Sequence, residues 1–221
     1  MEENKFLKAA RTARKENNVD DAKRYYETVK MDDPNNAEAK FFYEIYRLWA
    51  SKQGEWHNIF ISLRQVTPAS IRLLSESEMP SSEKIELLTD MLNDIKTAAS
   101  KLSRVLDEIG DPEAYKHRCT GVLALYEFGN AVEEYFPGDE DATKIAANAW
   151  IIAIHDQEWY DVEYGNTCSS VIGKTAPDEY AAKIQKYAPD WVYKKTPFWV
   201  KILSSIGVKV HLSNVSQGTL K

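Results

Sequence analysis

The chain has 221 residues, 43% of them hydrophobic and 11% aromatic, enough to build the core of one domain and too apolar for a disordered chain. A formal charge of -6 excludes a general nucleic-acid binder, which needs a basic surface to release counterions from phosphate. Cys119 and Cys168 are too few for a disulfide framework, the charged N-terminus carries no secretion signal, and no apolar run approaches the roughly 20 residues of a membrane span, so a soluble cytoplasmic protein is expected.

From Phe6 to Asn36 small residues fall where two paired helices would cross: Ala10 in the first helix and Ala22 in the second. Phe6 and Tyr26 stand beside them, and Pro34 closes the unit. Helices at close distance need alanine at the crossing and bulky side chains above and below it. The pattern resembles the tetratricopeptide repeat (TPR) family, whose two-helix unit is about 34 residues long. The likeness is good over about residues 3–36 and degenerate over 37–67. The second hairpin places Tyr43 and Glu44 where a leucine and a small residue are usual, and Ile59, past the turn at Gly54, follows Ala22 by 37 residues. Beyond Thr67 and Pro68 no repeat period survives.

The resemblance implies a protein or peptide partner on the face lined by the first helix of each pair. Carried over, that face comprises Asn4, Leu7, Arg11, Arg14 and Lys15 from the first helix, with Phe41, Ile45, Leu48 and Trp49 from the third. Arg11 and Lys15 suit an acidic peptide or a carboxylate through charge-assisted hydrogen bonds. Leu7 and Arg11 stand where the chaperone-tail clamp of some family members has lysine and asparagine, so that activity is not implied. The alternative for Phe41 to Trp49 is packing against the following helices.

Residues 81–110 carry the clearest periodicity: Ile85, Leu88, Leu92, Ile95, Ala99, Leu102, Leu106 and Ile109 alternate at steps of three and four. Ser81 is the expected N-cap and Gly110 the stop. Asp111 and Pro112 then open a return helix, so the two form an antiparallel hairpin. That helix buries Tyr115, Cys119, Val122, Tyr126, Gly129 and Val132, with Gly129 allowing close backbone approach or merely weakening the helix. Pro137 and Gly138 end it, and Asp139 to Asp141 start another helix running to about Gln157, with Ile145, Ala149, Ile152 and Ala153 inward. Residues 160–174 read as a loop, and Thr175 to Asp178 as the N-cap of a short helix ending near Tyr187. One alternating stretch, Val208 to Leu212, is too short and isolated to support a sheet.

No chemical motif is complete. Gly173, Lys174 and Thr175 resemble the end of a phosphate loop, but Cys168 stands where the earlier glycine is needed. Glu113 and His117 share a helix face without further ligands, a pattern that suits a surface ion pair better than a metal site. Cys119 reads as a core residue, and Cys168 has no basic neighbour to activate it. No catalytic residue, metal or cofactor is expected.

From Trp191 onward there is no acid and there are five lysines, so this segment is +5 and the first 190 residues are -11. Trp191, Tyr193, Phe198 and Trp199 accompany the lysines. Such a tail can fold back on the acidic body, dock on a partner through its aromatic anchors, or touch an anionic membrane surface. The sequence therefore predicts an all-α single domain of seven or eight helices: TPR-like hairpins over 1–67, a long hairpin with a capping helix over 81–157, a short helix over 175–187, and a basic aromatic tail over 188–221. The function expected is a non-enzymatic protein-interaction scaffold or adaptor. Its binding residues are expected at Arg11, Lys15, Phe41, Ile45, Trp49, Trp191 and Trp199. The alternative is a membrane-peripheral adaptor that uses the tail, and an enzyme of unrecognised type ranks below both.

Overall fold

A computed structural model describes residues 4–110, 114–165 and 167–195. Two short connections and good N-caps define the first three helices, α1 (Lys5–Lys15), α2 (Val19–Asp32) and α3 (Ala37–Ala50). Asn4, Asn18 and Asn36 each accept a backbone N–H of the following turn through the side chain, satisfying donors the helix leaves unpaired. Ala10, Ala22, Tyr26 and Val29 are all fully buried, as helix crossing at the alanines requires. Glu44 is buried where a small residue is expected. Its carboxylate is met by Lys30 at 3.3 Å and Arg47 at 3.0 Å, which compensates its desolvation.

After a 3₁₀ turn at Gln53–Glu55, α4 (Trp56–Glu76) carries Pro68 in its interior. Leu63, Thr67, Ser70, Ile71 and Leu74 are buried on both sides of the proline, so burial outweighs the lost backbone hydrogen bond. α5 (Ser81–Ile109) follows, and the carbonyl of Pro80 accepts from Glu83 and Lys84, which makes Pro80, not Ser81, the cap. Gly110 closes α5 in the left-handed region at φ 63°. Asp111 and Pro112 lie outside the described residues.

α6 (Ala114–Tyr135) packs against α5, α4 and α7 (Glu140–Glu163). Asp139 caps α7 with its side chain. α7 runs six residues past Gln157 because Glu158, Tyr160, Asp161 and Val162 are buried there. Residues 160–174 are therefore not one loop, since a further short helix, α8 (Thr167–Ile172), lies within them. α9 (Ala176–Tyr187) packs on α7, with Pro177 in its first turn and Thr175 at the expected N-cap position, where its carbonyl accepts from the Glu179 N–H at 3.0 Å and its side chain makes no cap bond. Nine α-helices thus stand among the described residues, and one hydrophobic core joins Ala10 of α1 to Ile184 of α9. Among the described helices none is long and apolar enough to cross a membrane. The Val208 to Leu212 stretch lies outside the described residues.

Candidate functional site

Because α1, α2 and α3 alternate direction through short turns, α1 and α3 run the same way, and the C-terminal half of α1 meets the first half of α3 through Arg11 on Glu38 and Arg14 on Phe42. α5 lies against α3 and reaches α1 through ion pairs. On this α1/α3/α5 face the sequence placed most of its candidate residues.

Arg11 donates to both carboxylate oxygens of Glu38 on α3, from Nε at 3.0 Å and from Nη2 at 2.6 Å. Glu38 is only 2% exposed, and the hydroxyl of Tyr26 donates to it at 3.0 Å. A carboxylate this desolvated needs such a set of donors. Arg11 is therefore committed to an internal bidentate pair, which corrects its reading as a ligand for an acidic peptide. Burial and the nearby Glu38 charge both push the Tyr26 hydroxyl well above its ordinary value.

One turn along α1, Arg14 stacks over the ring of Phe42 at 3.9 Å and reaches two carboxylates of α5, Asp90 at 3.0 Å and Asp94 at 3.7 Å. Burial opposes the Arg14 charge, but the aspartates prevail and its pKa is raised. Asp94 is pushed up to about 6 by burial, against the opposing charge of Arg14 and with a smaller push from the Asp90 charge. Tyr46 is raised to about 12, by burial and by Asp94.

Phe41 and Ile45 are fully buried in the core. A partner could not touch them without unfolding α3, so they are packing residues and not binding residues. Leu48 is also buried. Trp49 is half-buried, meets the half-buried Trp56 edge-to-face at 5.4 Å, and carries the Lys101 ammonium of α5 over its ring at 4.4 Å. Lys15, the last residue of α1, is exposed. Of the residues predicted on this face, Asn4 and Lys15 are exposed, Leu7 and Trp49 are half-buried, and Arg11 and Arg14 are engaged in internal ion pairs.

The tail begins by folding back onto the acidic body. Trp191 packs on the core and stacks on Tyr193 at 6.2 Å. The Tyr193 hydroxyl donates to Glu158 of α7 at 2.8 Å, and Lys195 pairs with Asp178 of α9 at 2.5 Å. These anchors are on α7 and α9, not on α1 or α3. Trp199 lies outside the described residues.

A second polar cluster, between α6, α7 and α8, was not legible in the sequence. Asp161, buried, accepts from the Ser169 N–H at 2.8 Å and from its hydroxyl. Gln157, also buried, accepts from the Tyr126 hydroxyl and donates to the Gly173 carbonyl, each at 3.0 Å. The Cys119 and Cys168 sulfurs lie 3.0 Å apart. His57 and His117 stack with ring centroids 3.4 Å apart. Glu113, the expected partner of His117, lies outside the described residues. Among the described residues no three His, Cys, Asp or Glu side chains gather as a metal site would.

No family model, curated protein or solved structure matches the chain. Function rests on the geometry above.

Proposed function

We propose that the protein is a non-catalytic helical adaptor that binds a protein or peptide partner at the α1/α3/α5 face, around Lys15, Trp49 and Lys101. The observation that carries this reading is the half-buried Trp49–Trp56 pair beneath the Lys101 ammonium. A large aromatic surface held in one geometry, edged by charge, has the composition of an interface anchor. The TPR-like spacing of the first hairpins supports it, since that resemblance places binding on the same helices. The free thiols suit a reducing compartment, and we place the adaptor in the cytoplasm.

The test is quantitative affinity capture by the full chain from native extract, comparing wild type with a Trp49→Ala/Lys15→Glu variant. Val192→Ser, at an exposed position beyond α9, is the control. Specific partners should fall at least tenfold with the first variant and not with the control. Equal recovery by both variants would remove this face from the binding reaction. Reversing the charge of Arg11 is not a clean test, because it would set a carboxylate against buried Glu38.

A further inference from the structure

Cys119 and Cys168 are 49 positions apart in the chain, yet their sulfurs are in direct contact at 3.0 Å. Both residues are fully buried. Two thiolates sharing a tetrahedral metal, with metal–sulfur bonds of about 2.3 Å, would hold their sulfurs about 3.8 Å apart. The observed pair is closer than that and lies in no three-ligand group among the described residues. A covalent S–S bond, at about 2.05 Å, needs only about 1 Å of further approach.

The element carrying Cys168 is also suited to small movement. α8 is six residues long and stands between Gly165 and Gly173, both in the left-handed region, at φ 76° and 119°. It is tied to α7 by the Asp161–Ser169 hydrogen bonds and by Gln157 reaching Gly173. A short helix held between two glycines by a few side-chain bonds is the kind of element that opens locally at low cost.

We propose that Cys119 and Cys168 form an oxidation site, at which a hydroperoxide converts the two thiols into an intramolecular disulfide that fastens α8 to α6. In the first step the Cys119 thiolate attacks the peroxide oxygen. The O–O bond breaks, the peroxide leaves as an alcohol (or water), and Cys119 becomes a sulfenic acid. In the second step the Cys168 sulfur attacks the Cys119 sulfur. The S–S bond forms, the S–O bond breaks, and the hydroxide released leaves as water with the Cys168 proton. Two thiols lose two electrons and two protons, and the peroxide accepts them. The order of attack follows from the environment. The hydrogen bond from Cys168 holds the Cys119 thiol below its ordinary value, whereas the same bond and burial push Cys168 far up.

The test treats the folded full-length chain with hydrogen peroxide, then alkylates the remaining thiols and measures mass. The expected product is a monomer lighter by two hydrogens, with no alkylation and a peptide joining residues 119 and 168. Its melting temperature should rise by about 10 °C, for a loop of this length closed in a chain of this size, and return on reduction with dithiothreitol. Cys168→Ser should instead leave a sulfenic acid at Cys119 that dimedone traps. Two alkylatable thiols after treatment, disulfide-linked dimers, or sulfinic acid without the internal link would each overturn the proposal. The wild-type mass decides the matter even if the serine variant does not fold.

Discussion

Gly129 allows a direct test of the packing between α6 and α7. A Cβ built on Gly129 would lie 2.3 Å from Nε1, 2.6 Å from Cδ1 and 2.8 Å from Cε2 of Trp150. The indole cannot easily retreat. It is fully buried, with Tyr180 at 5.8 Å, Tyr187 at 6.4 Å and the Lys183 ammonium 4.9 Å above its ring. Overpacking of this kind costs about 1–3 kcal/mol, and contacts this short on a wedged ring put Gly129→Ala near ~3 kcal/mol. The gain in helix propensity from glycine to alanine returns about 1 kcal/mol. The net loss is about 2 kcal/mol, a fall of roughly 4–8 °C in melting temperature for a chain of this size. Thermal melts followed by circular dichroism, with urea titration to confirm an unchanged m-value, measure it. Gly54→Ala, with nothing within 4 Å of the added carbon, is the neutral control. Combining Gly129→Ala with Trp150→Phe should recover about 1 kcal/mol relative to additivity, because the smaller ring vacates the contact. If Gly129→Ala stabilises the protein, or its cost is indifferent to Trp150→Phe, the indole does not cover this glycine and the reasoning fails.

Asp94 makes the stability of the α1/α3/α5 face depend on pH. Its folded pKa of about 6 lies above the ordinary 3.8, so the folded state binds the proton more tightly. Its contribution is favourable below pH ~4 and is lost as pH rises through ~6. The full difference is about 3 kcal/mol, reduced to about 2 kcal/mol because the side chain is 28% exposed. Asp94→Asn should therefore raise the melting temperature at pH 7.5 by roughly 4–8 °C and give no advantage at pH 4, as calorimetry at the two pH values will show. Arg11→Ala should cost about 3 kcal/mol in chemical denaturation, because Glu38 would lose its bidentate charge partner while buried. Arg11 is itself 33% exposed and tolerates loss of its partner better, so Glu38→Gln should cost less, about 1–2 kcal/mol. Tyr193→Phe removes the hydrogen bond to Glu158 and should cost about 1 kcal/mol; faster amide exchange at residues 191–195 in that variant would confirm that this bond holds down the start of the tail.

Helical periodicity made the helices legible where a single apolar stripe faced the core, and α5 was readable from Ile85 to Leu106 for that reason. Ala10, Ala22 and Tyr26 marked a helix crossing through the repeat-like order of small and bulky residues. Local rules failed where tertiary burial overrode them, as at residues 160–174, which read as a loop although buried Tyr160, Asp161 and Val162 extend α7 into them and α8 follows. The site was harder to read. Arg11 is indistinguishable in sequence from a surface arginine until Glu38, 27 positions later, is brought against it. Phe41 and Ile45 look like anchors on an open repeat face, yet α3 is covered by neighbours on most sides. The contact between Cys119 and Cys168 has no local signature at all. It depends on α8 folding back over α6, which neither periodicity nor spacing records.

α5 has a mechanical consequence for the whole chain. In an open repeat array each unit touches only its neighbours, so units can be added, lost or melted one at a time. At 29 residues α5 is a rod about 43 Å long. It touches α3, α4, α6 and α7, and its aspartates are clasped by an arginine from the first helix. Removing the first hairpin would strip Asp90 and Asp94 of their counter-charge, and removing α6 and α7 would bare the rod's apolar side. Neither half is a tradable module. The molecule should yield as one body under heat or force, which gives any partner bound near Trp49 a stiff surface continuous with the opposite end of the domain.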